Sequence, residues 1–433
     1  MYIIGINFGH KETTGSFYDT ESRCGVVGRL HILDGDTSES CKVESAVCRN
    51  RKTGEWQFAK DVRDYSLPDF SNDFIGPMNA MTPKKKEAFA AFVRLVFAHI
   101  LKNQEFLHYN PVTGERNFEI YVALGKENIN QAKEYKNFIS SIIPLDWGIP
   151  DSRAVYFKFY AEANFSASSA LVINIDSRSI DFTAYNEKGK QSLLKVYEHG
   201  SSAIENLIYK YFEEHDENFN KAKEEGEALC SCKNLDWRNA VIHYIKEEVR
   251  YFYDYENSLL FLDLSNRAIC NVKGRVFDDY EISKKQLDEI LTPYRQTLLQ
   301  DMNDVKQRLA KGKNGIPGVV ILTGESSRMP WLQRLVKDVF SDSQVFRDND
   351  PSHVVSDGLA YYGTGIPKMK SAIENLKTSI ATVFHEFHIQ DYNTAYADYV
   401  ISKMQDFLED EHMLEYSKKE PEKQEEPIRL KKS

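Results

Sequence analysis

The sequence predicts an α/β protein with mixed sheets in two lobes, on three observations. Four apolar runs, Tyr2 to Phe8, Phe118 to Leu124, Ala170 to Ile175 and Gly318 to Leu322, each end in Gly or small polar residues, the pattern of buried strands running into turns. Stretches with helical spacing lie between them. At 433 residues the chain is too long for one ordinary core.

Taken in order, Tyr2 to Phe8 opens the first half, and Ser16 to Leu33 and Val43 to Phe58 read as a meander attached to it. Lys84 to Leu101 places Phe89, Phe92, Val93, Val96, Phe97 and Ile100 on one helical face. Ile204 to Phe212 and Asp236 to Tyr253 are helical, and Leu259 to Leu264 is a strand. Ser283 to Leu309 is a long amphipathic helix, expected to be interrupted at Pro293, which lacks the N–H that a helix interior needs. Beyond Gly363, Met369, Ile373, Leu376, Ile380, Val383 and Phe387 recur at spacings of three and four. Tyr392, Tyr396, Tyr399, Met404 and Phe407 continue a similar stripe, so two helices are expected. Ser417 to Ser433 is mostly charge and Pro and cannot bury a core. The expected organisation is lobe I over 1–168 completed by 364–388, lobe II over 169–363, a helical extension over 389–416 and a disordered tail over 417–433.

With 42% hydrophobic and 28% charged residues the chain is globular, and its net charge of −10 excludes nucleic acid or an anionic membrane as the main partner. A protein or a small molecule is expected instead. Six dispersed cysteines in a chain this size need no disulfide framework, and Cys230-Ser231-Cys232 has too short a spacer for a zinc knuckle, so the thiols read as incidental in a reduced compartment. The N-terminus has no basic segment before a signal-length apolar run, and no later run approaches a membrane span. The expected location is cytoplasmic. His385-Glu386-Phe387-His388 lacks the spacing of a zinc-protease helix, and Lys84-Lys85-Lys86 is ordinary solvated charge.

The most informative stretch is Gly324-Glu325-Ser326-Ser327-Arg328-Met329-Pro330. It follows the fourth apolar run and opens the amphipathic run Trp331 to Val336. A strand that ends in Gly and turns through small hydroxyl residues into a helix presents backbone N–H groups at the strand end, where α/β proteins bind ligands.

That order resembles the adenosine motif of the seventy-kilodalton heat-shock chaperone (DnaK-like) and actin-like ATPase superfamily. Further segments carry the resemblance in the family's order. Ile4 to Gly9 with Thr13-Thr14-Gly15-Ser16 is similar to the first phosphate hairpin, and Glu162 to Ala167 to the segment crossing between lobes. Val172 to Asp181 falls at the second hairpin, His199-Gly200-Ser201-Ser202 resembles the following turn, and Asp350 to Ala360 resembles the closing helix. The resemblance covers roughly residues 1 to 385. It implies a two-lobed actin-like fold (a duplicated ribonuclease H-like unit) with ATP or ADP between the lobes. The implied ligand-binding residues are Gly9, Thr13, Thr14, Arg178, Gly200, Arg250, Gly324, Ser327, Arg328 and Asp350, with Arg328 and Arg250 toward the base.

The departures concern chemistry. Asn7 and Asn174 stand where the resemblance implies Asp residues that organise Mg²⁺, and a neutral amide cannot match a carboxylate there. With Glu162 they form a degenerate catalytic set. Asp176-Ser177-Arg178 replaces three Gly of the second hairpin, so Arg178 either meets phosphate or pairs with Asp176 or Asp181. Leu67 to Asn79 contains no Lys where the chaperones carry a catalytic one. The expected function is therefore a chaperone-like, ATP-binding conformational switch with weak magnesium binding and little or no hydrolysis. A scaffold pseudoenzyme without nucleotide and a slow ATPase co-chaperone are the alternatives. Only helices and a tail follow Gly363, so a peptide-clamping chaperone is not expected, and a protein partner is expected at residues 389–416.

Overall fold

The computed structural model describes residues 1–365, apart from 23–24, 36, 51, 60–69, 73, 163–168, 187–189, 233–235, 256–258, 266, 270–271, 274–278 and 313–314. The expectations for the helices, partner surface and tail beyond 365 lie outside the described residues. Met1–Thr364 forms one compact unit.

Its first half is built on β1 (Tyr2–Phe8), β2 (Glu12–Asp19), β3 (Gly28–Arg29) and β4 (Lys42–Glu44), followed by the hairpin β5 (Val47–Arg49) and β6 (Trp56–Phe58). Helix α1 (Pro83–Asn103), β7 (Phe118–Leu124), α2 (Ala132–Ser140) and β8 (Trp147–Pro150) complete it. Helix α3 (Asp151–Glu162) leads to the second half: β9 (Ala170–Ile175), β10 (Ile180–Tyr185), β11 (Gln191–Tyr197), α4 (Ser202–His215), α5 (Glu217–Ser231) and α6 (Trp237–Tyr255). Short strands β12 (Leu259–Asp263), β13 (Ala268–Ile269), β14 (Val272–Lys273) and β15 (Asp279–Ser283) precede α7 (Lys284–Lys311), β16 (Val319–Thr323), α8 (Pro330–Val339) and β17 (Gln344–Arg347). A final described helix, α9, spans 354–365.

The two main sheets have the same plan. The first runs β3-β2-β1-β7-β8 with β4 beside β2, and the second runs β11-β10-β9-β16-β17. In each, the strand at the centre pairs antiparallel with the strand that follows it and parallel with a later one: β1 with β2 and β7, β9 with β10 and β16. The central strands are apolar on both faces, as strands covered by helices on either side must be. Each sheet has its own apolar core. Alternation along β5 and β6 joins the two, because Val47 and Phe58 belong to the first core while Cys48 and Ala59 belong to the second.

Helix α1 starts at Thr82, whose hydroxyl accepts from the Lys85 N–H, with Pro83 at the first helical position. Helix α7 starts with a capping box formed by Ser283 and Gln286 and, contrary to the sequence expectation, runs unbroken through Pro293. Pro293 is exposed, so the carbonyl that loses its N–H partner can bond to water. A second correction concerns the thiols. Cys41 and Cys232 are free, but Cys230, buried on α5, is disulfide-bonded. That bond departs from the expected reduced set. Among the described residues no helix is long and apolar enough to cross a membrane.

Two helices cross between the halves and lock together. Helix α9 returns from the second sheet and lies against β1, where a Cβ on Gly5 would come 2.3 Å from the Ser356 carbonyl oxygen. It also meets α3 so closely that a Cβ on Gly358 would come 1.9 Å from the Ala154 carbonyl oxygen. Buried Lys158 on α3 spans this junction, 2.7 Å from Asp357 and 2.9 Å from Asp348, while Ser16 donates to the other oxygen of Asp357 at 2.6 Å. Burial alone would depress the Lys158 ammonium, but Asp357 and Asp348 outweigh it and push its pKa up to about 12.

Candidate functional site

Because β1 and β9 hold the same position in two like sheets, the hairpin turns after them, 9–11 and 176–179, face one cleft. The end of β16 forms its floor. The cleft has about 100 Å³ of water-accessible space and is lined by Asn7, Gly9, His10, Lys11, Asp151, Asn174, Asp176, Thr323, Gly324, Ser326 and Ser352 among others. Strand register brings the lining together: Asn174 lies opposite Thr323 on one side and Asp181 on the other.

Of the residues predicted from sequence, Asn7, Gly9, Asn174 and Gly324 line this cleft, and the other described ones do not. Thr13 and Thr14 are buried, the first bonded to Ser45 at 2.9 Å and the second donating to the Ser352 carbonyl at 3.1 Å. Gly200 supports the second turn from behind, since a Cβ there would come 2.2 Å from the Asp176 carbonyl oxygen. Arg178 is exposed at that turn and reaches toward Gly76, across the boundary between the halves. Ser327 is buried beneath the adenosine-like turn, and its N–H bonds the Gly324 carbonyl at 2.9 Å. Arg328 lies 3.7 Å from Asp350, which is also paired with Arg29 at 2.7 Å and His353 at 3.0 Å. Burial would raise the Asp350 carboxyl, but these three groups, His353 foremost, hold it far below the usual carboxylate range. Glu162 is at the distant end of α3, 4.0 Å from Lys158. The side chain of Arg250, on α6, lies outside the described residues.

Gly324 has φ +87°, and a Cβ on it would come 2.3 Å from the Ile175 carbonyl oxygen. Glycine is therefore required by the protein's own backbone at this turn, independently of any ligand.

The sequence reading missed His10, Lys11, Asp151, Lys126 and Ser326. Asp151 opens α3 directly after β8 and sits at the bottom of the cleft, where its Oδ2 accepts from the Asn174 amide at 3.3 Å. The same amide donates to Asp181 Oδ2 at 3.2 Å, and Lys126 Nζ is 3.2 Å from that oxygen. Burial pushes the Asp181 carboxyl up, against the pull of Lys126. The hydroxyls of Thr323 and Ser326 are buried, line the cleft and have no hydrogen-bond partner, as does the Ser352 hydroxyl.

Across the mouth the halves meet through charge. Lys11 Nζ is 3.0 Å from Glu205 Oε1 on α4, and His10 Nε2 is 3.9 Å from Asp176 Oδ2. Farther out, Glu44 on β4 lies 3.4 Å from His243 and 3.5 Å from Lys246, both on α6.

The donors in the cleft do not suit magnesium. Asn7 and Asn174 are neutral, the Asp151 carboxylate accepts from the Asn174 amide, Asp176 accepts from the Ser177 N–H and faces His10, and Asp181 next to them already holds an ammonium. Among the described residues no group of three or more His, Cys, Asp or Glu is placed to hold a metal ion. The orphaned hydroxyls, Lys11 and the Gly9 turn do fit a polar, phosphate-bearing ligand.

No protein-family model matches the chain, and no curated protein matches it either. The functional reading therefore rests on the geometry and on the motif resemblance.

Proposed function

We propose that the protein has the two-lobed actin-like ATPase fold and acts as a conformational switch that binds ATP or ADP between its halves without using magnesium and with little or no hydrolysis. One observation carries this reading. Two sheets of identical strand order point their equivalent hairpin turns, together with the Gly324 turn, into a single cleft. Buried hydroxyls at Thr323 and Ser326 without partners support a polar ligand there, since an unsatisfied buried hydroxyl costs about 1–3 kcal/mol.

The chain's own groups have definable tasks in such a complex. Gly9 lets the first turn close on the Glu12 carbonyl, Lys11 supplies positive charge, and Thr323, Ser326 and Ser352 donate hydroxyl hydrogens. Asn7 and Asn174 replace the metal-organising carboxylates that the resemblance implies, and Asp151 and Asp176 accept from the chain's own amides, so the phosphoryl transfer step lacks its electrostatic support. Ligand pockets commonly span roughly 300–1,000 Å³, well above the cleft's present space, so binding requires the halves to separate at the mouth. The response would pass to a protein partner, for which residues 389–416 are the candidate surface read from sequence.

A second reading, a scaffold that kept the fold without the ligand, is favoured by the ion pairs that fill the mouth. Displacement of a fluorescent ADP analogue, run beside a phosphate-release assay, separates the two. The switch predicts displacement by ATP and ADP with no measurable phosphate release. A folded protein that takes up no analogue is the scaffold.

A further inference from the structure

Glu205 lies in the first turn of α4 and is almost fully buried. Its Oε1 accepts from Lys11 at 3.0 Å, but its Oε2 is buried and has no hydrogen-bond partner. Removing a carboxylate from water is expensive and is offset only when both oxygens are well satisfied. Glu205 meets half of that requirement, through a cation on the opposite half of the molecule, so the closed pair is held with little net gain.

Beside it, Asp176 faces His10 across the same gap. Burial alone would raise the Asp176 carboxyl, but His10, Lys126 and Lys11 around it hold it below the usual range, so it stays charged. Two carboxylates of the second half thus stand where an anion entering the cleft would meet the two basic residues of the first turn.

We propose that Glu205 and Asp176 serve as an internal anion that latches the cleft shut on Lys11 and His10, and that a phosphate-bearing ligand enters by displacing them. This rests on the reading of the cleft as a phosphate-binding site. The exchange is balanced in charge: Lys11 trades a carboxylate for a phosphate oxygen, and Glu205, released from the closed mouth, gains water on the oxygen that was orphaned. The latch makes closure without ligand and closure around ligand alternative states of the same cationic turn.

Two substitutions with opposite consequences test it. Glu205→Gln keeps the shape and removes the charge, whereas Lys11→Met removes the shared cation. Each is studied with inorganic pyrophosphate as probe, by calorimetry and by hydrogen exchange of the cleft-lining peptides 7–12, 174–177 and 323–326. Both variants should exchange these peptides faster than the unmodified protein. Pyrophosphate should bind Glu205→Gln about tenfold more tightly, the scale of one competing ion pair, and should no longer bind Lys11→Met. Unchanged exchange in both variants overturns the latch, whatever pyrophosphate does. Faster exchange without tighter pyrophosphate binding in Glu205→Gln overturns the displacement step. If ATP and ADP fail to bind the unmodified protein, the functional reading falls, and the exchange result still decides whether the latch exists.

Discussion

The two halves of the molecule are joined by charge at two places, and the junctions are built differently. At the crossing of α3 and α9, Lys158 is enclosed by Asp357 and Asp348, Ser16 satisfies a further carboxylate oxygen, and the helices interlock through Gly358. At the mouth of the cleft Lys11 meets Glu205 and His10 faces Asp176 at 3.9 Å, and one oxygen of Glu205 is left without a partner. A fully satisfied buried network fixes a geometry, while a half-satisfied one is ready to exchange its partners. On the proposed reading, the crossing is the fixed point and the mouth the part that moves.

The largest expected effect comes from breaking the crossing. Lys158→Met leaves buried Asp357 and half-buried Asp348 without their cation, and stability should fall by about 3–5 kcal/mol in urea denaturation. A loss below 1 kcal/mol, the scale of exposed pairs, would show that the crossing is no firmer than the mouth.

A third contact between the halves, farther out than the mouth, involves His243. It is buried on α6 against Phe70, faces Glu44 and Glu247, and has Lys246 and Arg267 nearby. Burial lowers its pKa from 6.5 to about 4, so the folded protein keeps it neutral while the unfolded chain protonates it. The folded pKa lies below the unfolded one, so stability is retained above pH 6.5 and is lost as pH falls from there toward 4. The loss attributable to this group is on the order of 3 kcal/mol. His243→Gln should flatten the acid side of the stability–pH curve by that amount, and an unchanged curve would remove His243 from the account.

The smallest effect is expected at the mouth. If the halves can part there, Glu205 gains water when Lys11 is lost, and Lys11→Met should destabilise by clearly less than Lys158→Met. A loss comparable to that of Lys158→Met would mean that the mouth is rigid.

Much of the fold was legible in the sequence. β1, β7 and β9 fall where their apolar runs place them, because strands covered on both faces are continuous in hydrophobicity. The cleft was less legible. β8 has only four residues, and α3 buries Ser152, Ala154, Val155, Tyr156, Lys158 and Phe159, so no one-sided stripe marked the helix or its first residue, Asp151. The resemblance placed the acidic position at Glu162, at the opposite end of that helix. Lys11, Glu205 and Lys126 could not be paired from sequence because each partner is distant in the chain and only the folded topology brings them together. The glycines were visible, but what they meet was not: Gly324 and Gly200 accommodate neighbouring backbone rather than ligand.

The central claim is that the cleft takes nucleotide without a metal. Calorimetric titration of the unmodified protein with ADP, in the presence and absence of Mg²⁺, tests it most directly. The account predicts binding with the same affinity in both conditions, because Asn7 and Asn174 do not organise a hydrated cation and Asp181 is already occupied by Lys126. Binding that appears only when magnesium is added would contradict it.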